Sequence, residues 1–383
     1  MKKVIVQGRP FALEPCGIKN FSTHFIATLA EQLPQLLFEI IVPGKIDKIY
    51  GENQPKNILF TELPQTETKP DYLSALLWEN TQTSEYVAKQ SKDDLLFYLS
   101  PYNCLPFPKL GIPEFVVLHD VDLWIDRGVE WPIERRFGYA LKKQSIYNAD
   151  HIFTVSSFSK TEITSFFKLP EKKVIAIYED INDFYDKPSD SVSKTLLKFQ
   201  LEAKNYFLYV GAFEPRKNVE LLFRAYHEYM NKNTPAQKKK LVIVGSHNER
   251  TKALSENTSL VSEATFISAQ SLADIKDLYL GAFAFIYPSK YEGFGLQILE
   301  AQATRTALIA SNIPTFKEIA GKGALFFDPT EPSGLLNTMT ELENNSELRE
   351  NIIKEGLLNR NKYSWRKTSE IFIKSIKDYV SLA

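Results

Sequence analysis

Short, near-continuous apolar runs alternate along the chain with longer segments in which apolar side chains recur every three or four positions. Runs of the first kind read as strands buried on both faces and segments of the second as amphipathic helices, so the chain is α/β, with parallel sheets joined by helical crossovers. In the first half the predicted strands are Lys3 to Gln7, Leu37 to Val42, Leu95 to Leu99, Glu114 to Leu118, His151 to Val155 and Val174 to Ile177. A helix is predicted from Phe21 to Leu33, where Phe21, Phe25, Leu29 and Leu33 step along one face. The second half repeats the alternation: strands at Tyr206 to Val210, Leu241 to Val244, Thr265 to Ile267, Ala282 to Tyr287, Ala307 to Ala310 and Ala324 to Phe327. Helices fall at Val219 to Met230, Leu272 to Tyr279 and Gly295 to Ala303, and a last one from Trp365 to Val380 follows Ser364 as N-cap.

Between the halves, Asn182 to Lys198 turns polar, and around Ser189-Asp190-Ser191 it has nothing obvious to bury. The junction is placed there. The expected domains are residues 1–185, residues 200–364, and a C-terminal helix over 365–383 that packs back towards the first domain. Two Rossmann-like domains of this kind are expected to face each other across a cleft, with ligands at the carboxyl ends of the strands.

A length of 383 residues agrees with two domains at about 150 residues each. Lys and Arg number 46 against 47 Asp and Glu, a balance that supplies no field for holding nucleic acid. Apolar residues at 44% and charged residues at 24% exclude a largely disordered chain. The two cysteines, Cys16 and Cys104, make neither a disulfide framework nor a zinc pair, and a reducing cytoplasm is the expected setting. The first apolar run is too short for a signal peptide, and no run approaches the ~20 apolar residues that span a bilayer. Any membrane contact is therefore expected to be peripheral.

The run Tyr287-Pro288-Ser289-Lys290-Tyr291-Glu292-Gly293-Phe294-Gly295-Leu296-Gln297-Ile298-Leu299-Glu300 carries the most chemistry. A strand ends, a glycine-bearing turn follows, and a helix opens near Gly295, presenting unpaired amides and a positive dipole end suited to a diphosphate. Gly293 and Gly295 allow close backbone approach. Glu300 lies about 7.5 Å along the helix beyond Gly295, so Glu292 and Glu300 could grip different parts of one extended ligand. Taken alone, a helix-capping acid and a second acid on a solvated face explain the same residues.

The run resembles the Glu-x7-Glu signature of retaining glycosyltransferases of the GT-B fold, specifically family 4 (group 1). The resemblance implies that Glu292 lies by the donor sugar, that Gly293, Phe294, Gly295 and Leu296 contact sugar and diphosphate, and that Glu300 accepts hydrogen bonds from the ribose hydroxyls. Tyr209-Val210-Gly211-Ala212-Phe213-Glu214-Pro215-Arg216-Lys217-Asn218 is similar to the phosphate-binding element of that family. Arg216 and Lys217 would then stabilise the departing diphosphate, where an isolated Arg-Lys pair is more often surface charge. The Glu-Pro-Arg-Lys-Asn form resembles a subgroup with many bacterial polysaccharide mannosyltransferases. Relatives often carry Arg where this chain has Ala212, with Arg216 as the candidate replacement.

In the first half, Phe115-Val116-Val117-Leu118-His119-Asp120 is similar to the family's strand-ending His-Asp, which implies that His119 contacts the sugar and Asp120 orders the next loop. A structural histidine is the competing reading. Pro15-Cys16-Gly17 stands where relatives carry a Gly-Gly pair, leaving Gly17 as a donor-site candidate, and Leu241 to Ser246 places Gly245 by the nucleotide. Ser156 is an N-cap whatever the function. Arg135-Arg136 and Lys142-Lys143 suit either a solvated helix face or a contact with an anionic membrane.

His24, His119, His151, His227 and His247 form no zincin pair, and Walker A, Gly-x-Ser-x-Gly and Gly-x-Gly-x-x-Gly signatures are missing from the sequence. The resemblance implies transfer of a hexose, mannose favoured, from a nucleotide diphosphate sugar to a hydroxyl of a glycan or lipid-linked acceptor. That activity belongs to bacterial surface polysaccharide or lipopolysaccharide synthesis. GDP-mannose is the favoured donor and a UDP-sugar its competitor, with no cofactor and no metal. A GT-B sugar-nucleotide epimerase and a non-catalytic partner subunit are the rival readings.

Overall fold

The computed structural model describes residues 1–13, 16–45, 54–64, 78–124, 133–232, 238–245, 263–269 and 271–382. The chain divides into two compact units, Met1–Asp180 with Ser364–Ala383, and Ile181–Tyr363.

The first unit is built on a parallel sheet of β1 (Lys3–Gln7), β2 (Leu37–Pro43), β3 (Ile58–Leu63), β4 (Leu95–Ser100), β5 (Glu114–Val117), β6 (His151–Thr154) and β7 (Val174–Ala176), in the order β3-β2-β1-β4-β5-β6-β7. β1 and β5 are apolar and buried throughout their centres, as strands covered on both faces must be. β3 escapes the sequence pattern because it is an edge strand: it pairs with β2 alone, and Leu59 stands exposed. Helix α1 (Gly17–Gln32) begins earlier than its apolar stripe suggests, and α2 (Ser84–Ala88), α3 (Ile133–Asn148) and α4 (Ser157–Phe167) follow. Ser156 caps α4, accepting a hydrogen bond from Ser159 N at 3.0 Å.

The second unit holds β8 (Tyr206–Val210), β9 (Lys240–Val244), β10 (Ala264–Ile267), β11 (Ala284–Tyr287), β12 (Ala307–Ser311) and β13 (Leu325–Phe327), all parallel, in the order β10-β9-β8-β11-β12-β13. Its helices are α5 (Val192–Lys198), α6 (Val219–Lys232), α7 (Leu272–Gly281), α8 (Leu296–Ala303), α9 (Pro314–Ala320), α10 (Pro332–Asn344) and α11 (Ser346–Arg360). Strand order reverses between β8 and β11, so the loops leaving these adjacent strands diverge and leave a crevice at the switch point. Leu222, Tyr226 and Tyr229 of α6 join Phe207, Ile243 and Ile286 of the sheet in one buried cluster.

Two sequence expectations need correction here. The polar stretch from Asn182 to Lys198, where the junction was expected, lies wholly within the second unit, with a 3-10 turn at Asp183–Asp186 followed by α5. Its hydroxyls are anchored to the fully buried Asp277 of α7, which accepts hydrogen bonds from Ser189 (2.5 Å), Ser191 (2.6 Å) and Thr195 (2.6 Å). Composition marked the stretch as having nothing to bury because its partner is a single carboxylate far along the chain. The last helix, α12 (Trp365–Ile376), stops short of Val380. Its cap is as expected, with Ser364 accepting from Lys367 N at 3.2 Å. Within the first unit Trp365 packs against Phe21 and His24, and Phe372 against Phe25 and Phe153.

Candidate functional site

At the switch point of the second sheet the loops after β8 and β11 are tied together. Lys290 N donates to Arg216 O at 2.7 Å, and Asn218, in a left-handed conformation (φ 55°), anchors the end of the first loop by donating to Pro329 O at 2.9 Å. The short turn Pro215–Lys217 thereby aims both cations at one carboxylate. Arg216 Nη1 lies 2.6 Å from Glu292 Oε2 and Lys217 Nζ lies 2.6 Å from Glu292 Oε1. Ser289 Oγ donates to the same Oε1 at 2.8 Å, and Thr315 Oγ1 holds the Glu292 carbonyl at 2.8 Å. The Lys217 ammonium also stands over the buried Tyr287 ring, 5.6 Å from its centroid.

Burial alone would push the Glu292 carboxyl up, but the Lys217 and Arg216 charges together outweigh it and hold the group below the ordinary carboxylate range. Burial likewise acts to lower Arg216, and the Glu292 and Glu214 charges overcome it and raise it. Glu214, exposed, takes the Arg216 Nε at 2.7 Å. Two cations thus meet at one buried carboxylate, three residues before the Gly295 N-cap of α8, with the exposed Glu214 as a second partner of Arg216.

Gly295 is the N-cap of α8, with φ of 103°. That left-handed backbone favours glycine, and an added Cβ would stand 3.0 Å from the Phe316 ring. Ile298 N donates to Gly295 O at 2.9 Å, and the amides of Leu296 and Gln297 before it are the helix-start donors left without an intrahelical acceptor. Leu296 opens the helix, and Gly293 lies buried in the turn before it. Phe294 is buried, its ring edge-on to Tyr363 at 5.9 Å, so its side chain anchors the turn and its backbone is what the turn can offer. Glu300, farther along α8, accepts a hydrogen bond from Tyr279 at 2.9 Å, and burial pushes its carboxyl up to about 7. Gly245 follows β9 with no space for a side chain, since a Cβ there would stand 2.3 Å from Gly211 O.

His119 and Gly17 belong to the first unit. Gly17 is the exposed first residue of α1, and one turn on, Phe21 meets the His119 ring edge-on at 4.8 Å. His119 Nδ1 lies 3.2 Å from Glu179 Oε1 and Nε2 lies 3.2 Å from Pro101 O. Both partners are acceptors, an environment that favours a proton on each ring nitrogen. Burial acts to lower its pKa, and the hydrogen bond and charge of Glu179 reverse the sign and raise it. Asp120 orders its loop by accepting from Asp122 N at 2.9 Å.

Arg216, Lys217 and Glu292 are therefore brought into direct contact, whereas the sequence distributed them over diphosphate and sugar. Sequence reasoning missed Ser289, Thr315, Tyr279 and Glu179. The Ser-x-x-Glu spacing of Ser289 and Glu292 was a legible signal; the other three are contacts from distant elements. In the basic stretch of α3, Lys142 is buried beside the Tyr102 ring and Lys143 lies over the Phe166 ring, while the side chains of Arg135 and Phe137 lie outside the described residues. Pro15, Ser246 and His247 also lie outside them. Among the described residues no group of acidic, histidine or cysteine side chains could hold a metal ion, and no helix is long and apolar enough to cross a membrane.

Residues 194–358 match the family described as Glycosyl transferases group 1. The chain is 30% identical over 214 residues to the O-antigen chain mannosyltransferase RfbU of Salmonella typhimurium, covering 55% of this chain and 56% of that protein. It is 29% identical over 241 residues to O-antigen chain mannosyltransferase B of Escherichia coli, covering 61% and 62%. The match thus spans little more than half the length of either relative. Among solved structures, the Anabaena protein HepE in complex with UDP-glucose superposes with a TM-score of 0.71 at 15% identity, over 99% of this chain and 100% of that one. The chain therefore has the GT-B fold of two parallel Rossmann-like sheets, and within its second unit residues 194–358 match the glycosyl transferases group 1 family.

Proposed function

We propose that this protein is a retaining glycosyltransferase that moves a hexose, mannose favoured, from a nucleotide diphosphate sugar to a hydroxyl of a glycan or lipid-linked acceptor in surface polysaccharide synthesis. The observation that carries the reading is the convergence of Arg216 and Lys217 on Glu292 beside the Gly295-capped start of α8. A diphosphate gains negative charge as the glycosidic bond breaks, and fixed cations and helix-start amides stabilise that charge without reorganising. Because these groups supply the positive charge, the transfer is proposed to need no metal and to persist in chelator.

In this reading the second unit takes the donor. Gly245, Gly293, Phe294, Gly295 and Leu296 line the diphosphate and sugar through backbone, and Glu300 takes the ribose. Glu292 serves twice. It positions the two cations and presents its carboxylate beside the sugar. The first unit, through Gly17 and His119, is proposed to serve the sugar and acceptor, with a sugar hydroxyl replacing the Pro101 carbonyl at His119 Nε2. Mannose as the transferred sugar is supported by the two O-antigen mannosyltransferase relatives, with GDP-mannose the favoured donor, and a UDP-sugar donor by the UDP-glucose complex of the Anabaena protein. Placement on the cytoplasmic side, with peripheral membrane contact, is part of the same proposal.

The test is incubation of the protein with GDP-mannose and UDP-glucose, with and without glycan acceptors, following nucleotide release and the anomeric configuration of the product by NMR. Acceptor-dependent release with an α-linked product from an α-linked donor supports the reading. Sugar epimerisation without acceptor would favour an epimerase, and inertness towards every sugar nucleotide would favour a non-catalytic subunit.

A further inference from the structure

Glu292 and Glu300 lie on one turn-helix segment but in opposite electrostatic settings. Glu292 has two cations. Among the described residues Glu300 has none: the hydroxyl of Tyr279 donates to its Oε2 at 2.9 Å, and the hydroxyl of Tyr185 also hydrogen-bonds the carboxyl. Tyr279 is fully buried on α7, its ring held edge-on by Phe285 (5.1 Å) and Tyr185 (6.4 Å). Its backbone carbonyl is held by Thr306 Oγ1 at 2.6 Å. The phenol therefore has no freedom to follow Glu300. Tyr185, on the 3-10 turn Asp183–Asp186, also acts on the Glu300 carboxyl. β11, β12, α9 and α11 contribute no titratable group to those acting on it.

A carboxylate with no cation keeps its full capacity to accept hydrogen bonds from neutral donors. Pinning Oε2 fixes the carboxyl plane and keeps the accepting capacity that the two tyrosine hydroxyls do not use turned to a ligand. A vicinal diol is the neutral group that supplies two donors at one point. We propose that Tyr279 is a positioning residue for nucleotide recognition: by holding Oε2 it presents Oε1 of Glu300 to the vicinal hydroxyls of a ribose. This rests on the reading of Glu300 as the ribose contact. Burial, which lifts the Glu300 carboxyl to about 7 against the lowering effect of the tyrosine hydroxyls, makes the arrangement pH-sensitive.

The experiment is calorimetric binding of GDP, UDP and their 2′,3′-dideoxy analogues to wild type, Tyr279→Phe and Glu300→Gln between pH 6 and 8.5. Wild type should prefer the ribonucleotide over the dideoxy analogue by about ten- to a hundredfold, the range of one or two charge-assisted hydrogen bonds. Tyr279→Phe should lose most of that preference near pH 7, bind the dideoxy ligand as wild type does, and move the pH midpoint of ribonucleotide binding upward. A Tyr279→Phe protein that keeps the full preference while Glu300→Gln loses it would overturn the proposal and leave the ribose reading intact. Equal weakening of both ligands by Tyr279→Phe would mark a structural role and also overturn it. If Glu300→Gln keeps the wild-type preference, or wild type binds no nucleotide, the ribose reading itself falls and this proposal with it.

Discussion

Lys217 Nζ and Glu292 Oε1 stand 2.6 Å apart although 75 positions separate them in the chain. The contact exists because β8 and β11 are sheet neighbours whose following loops open at the same edge. Both side chains are nearly buried, at 10% and 8% exposure, so the pair is shielded from the solvent screening that makes surface pairs weak.

Lys217→Ala should lower kcat/KM for sugar transfer by about a hundredfold or more, the scale of losing one preorganised charge at a leaving group. Arg216 still neutralises Glu292 in that variant, so the fold should persist. Steady-state kinetics alongside thermal unfolding check this; wild-type turnover in a folded variant would remove Lys217 from the mechanism.

Glu179 is what raises the His119 pKa against the effect of burial. In the folded protein its pKa is raised, so the stabilisation it contributes is complete below its unfolded value of ~6.5 and is lost as pH rises through the folded value. Glu179→Gln should bring the His119 titration, read by NMR of the ring protons, below its wild-type midpoint. An unchanged midpoint would show that Glu179 does not hold the proton.

Glu114 runs the other way. It is buried, accepts from Leu110 N, and burial pushes its carboxyl up to about 7. Its folded pKa exceeds the unfolded one of ~4.5, so ionisation opposes folding, and stability falls as pH rises from the unfolded value through the folded one. The expected loss by pH 8 is on the order of 3 kcal/mol. Chemical denaturation should find Glu114→Gln nearly flat between pH 5 and 8 while wild type declines.

Asp277→Ala removes the acceptor of three hydroxyls and should destabilise the second unit by about 3 kcal/mol. Limited proteolysis should then open the segment from Asn182 to Lys198 before any other described part of the unit. Resistance equal to wild type would mean the segment is held by something other than Asp277.

The sheets were legible because buried parallel strands are continuous apolar runs: β1, β8 and β12 need no context to be seen. β3 was not, since an edge strand with Leu59 in solvent carries a mixed pattern, and the segment before α5 was misread because its satisfaction lies in one distant carboxylate. In the site, the glycine turn, Glu292 and the Arg216-Lys217 pair stood out by residue type and position. What sequence could not display was that these three touch, that Ser289 and Thr315 brace them, or that Tyr279 meets Glu300. Those contacts depend on strand order, and order is a property of the folded sheet.

The most direct measurement is calorimetric titration of GDP and UDP into wild type and into the Arg216→Gln/Lys217→Gln double variant, with folding of the variant checked by thermal unfolding. The account predicts that wild type binds at least one of the two nucleotides and that the folded double variant binds it at least about a hundredfold more weakly, as expected for losing two charge-assisted contacts. Equal affinity in both proteins, or no binding by wild type, would contradict it.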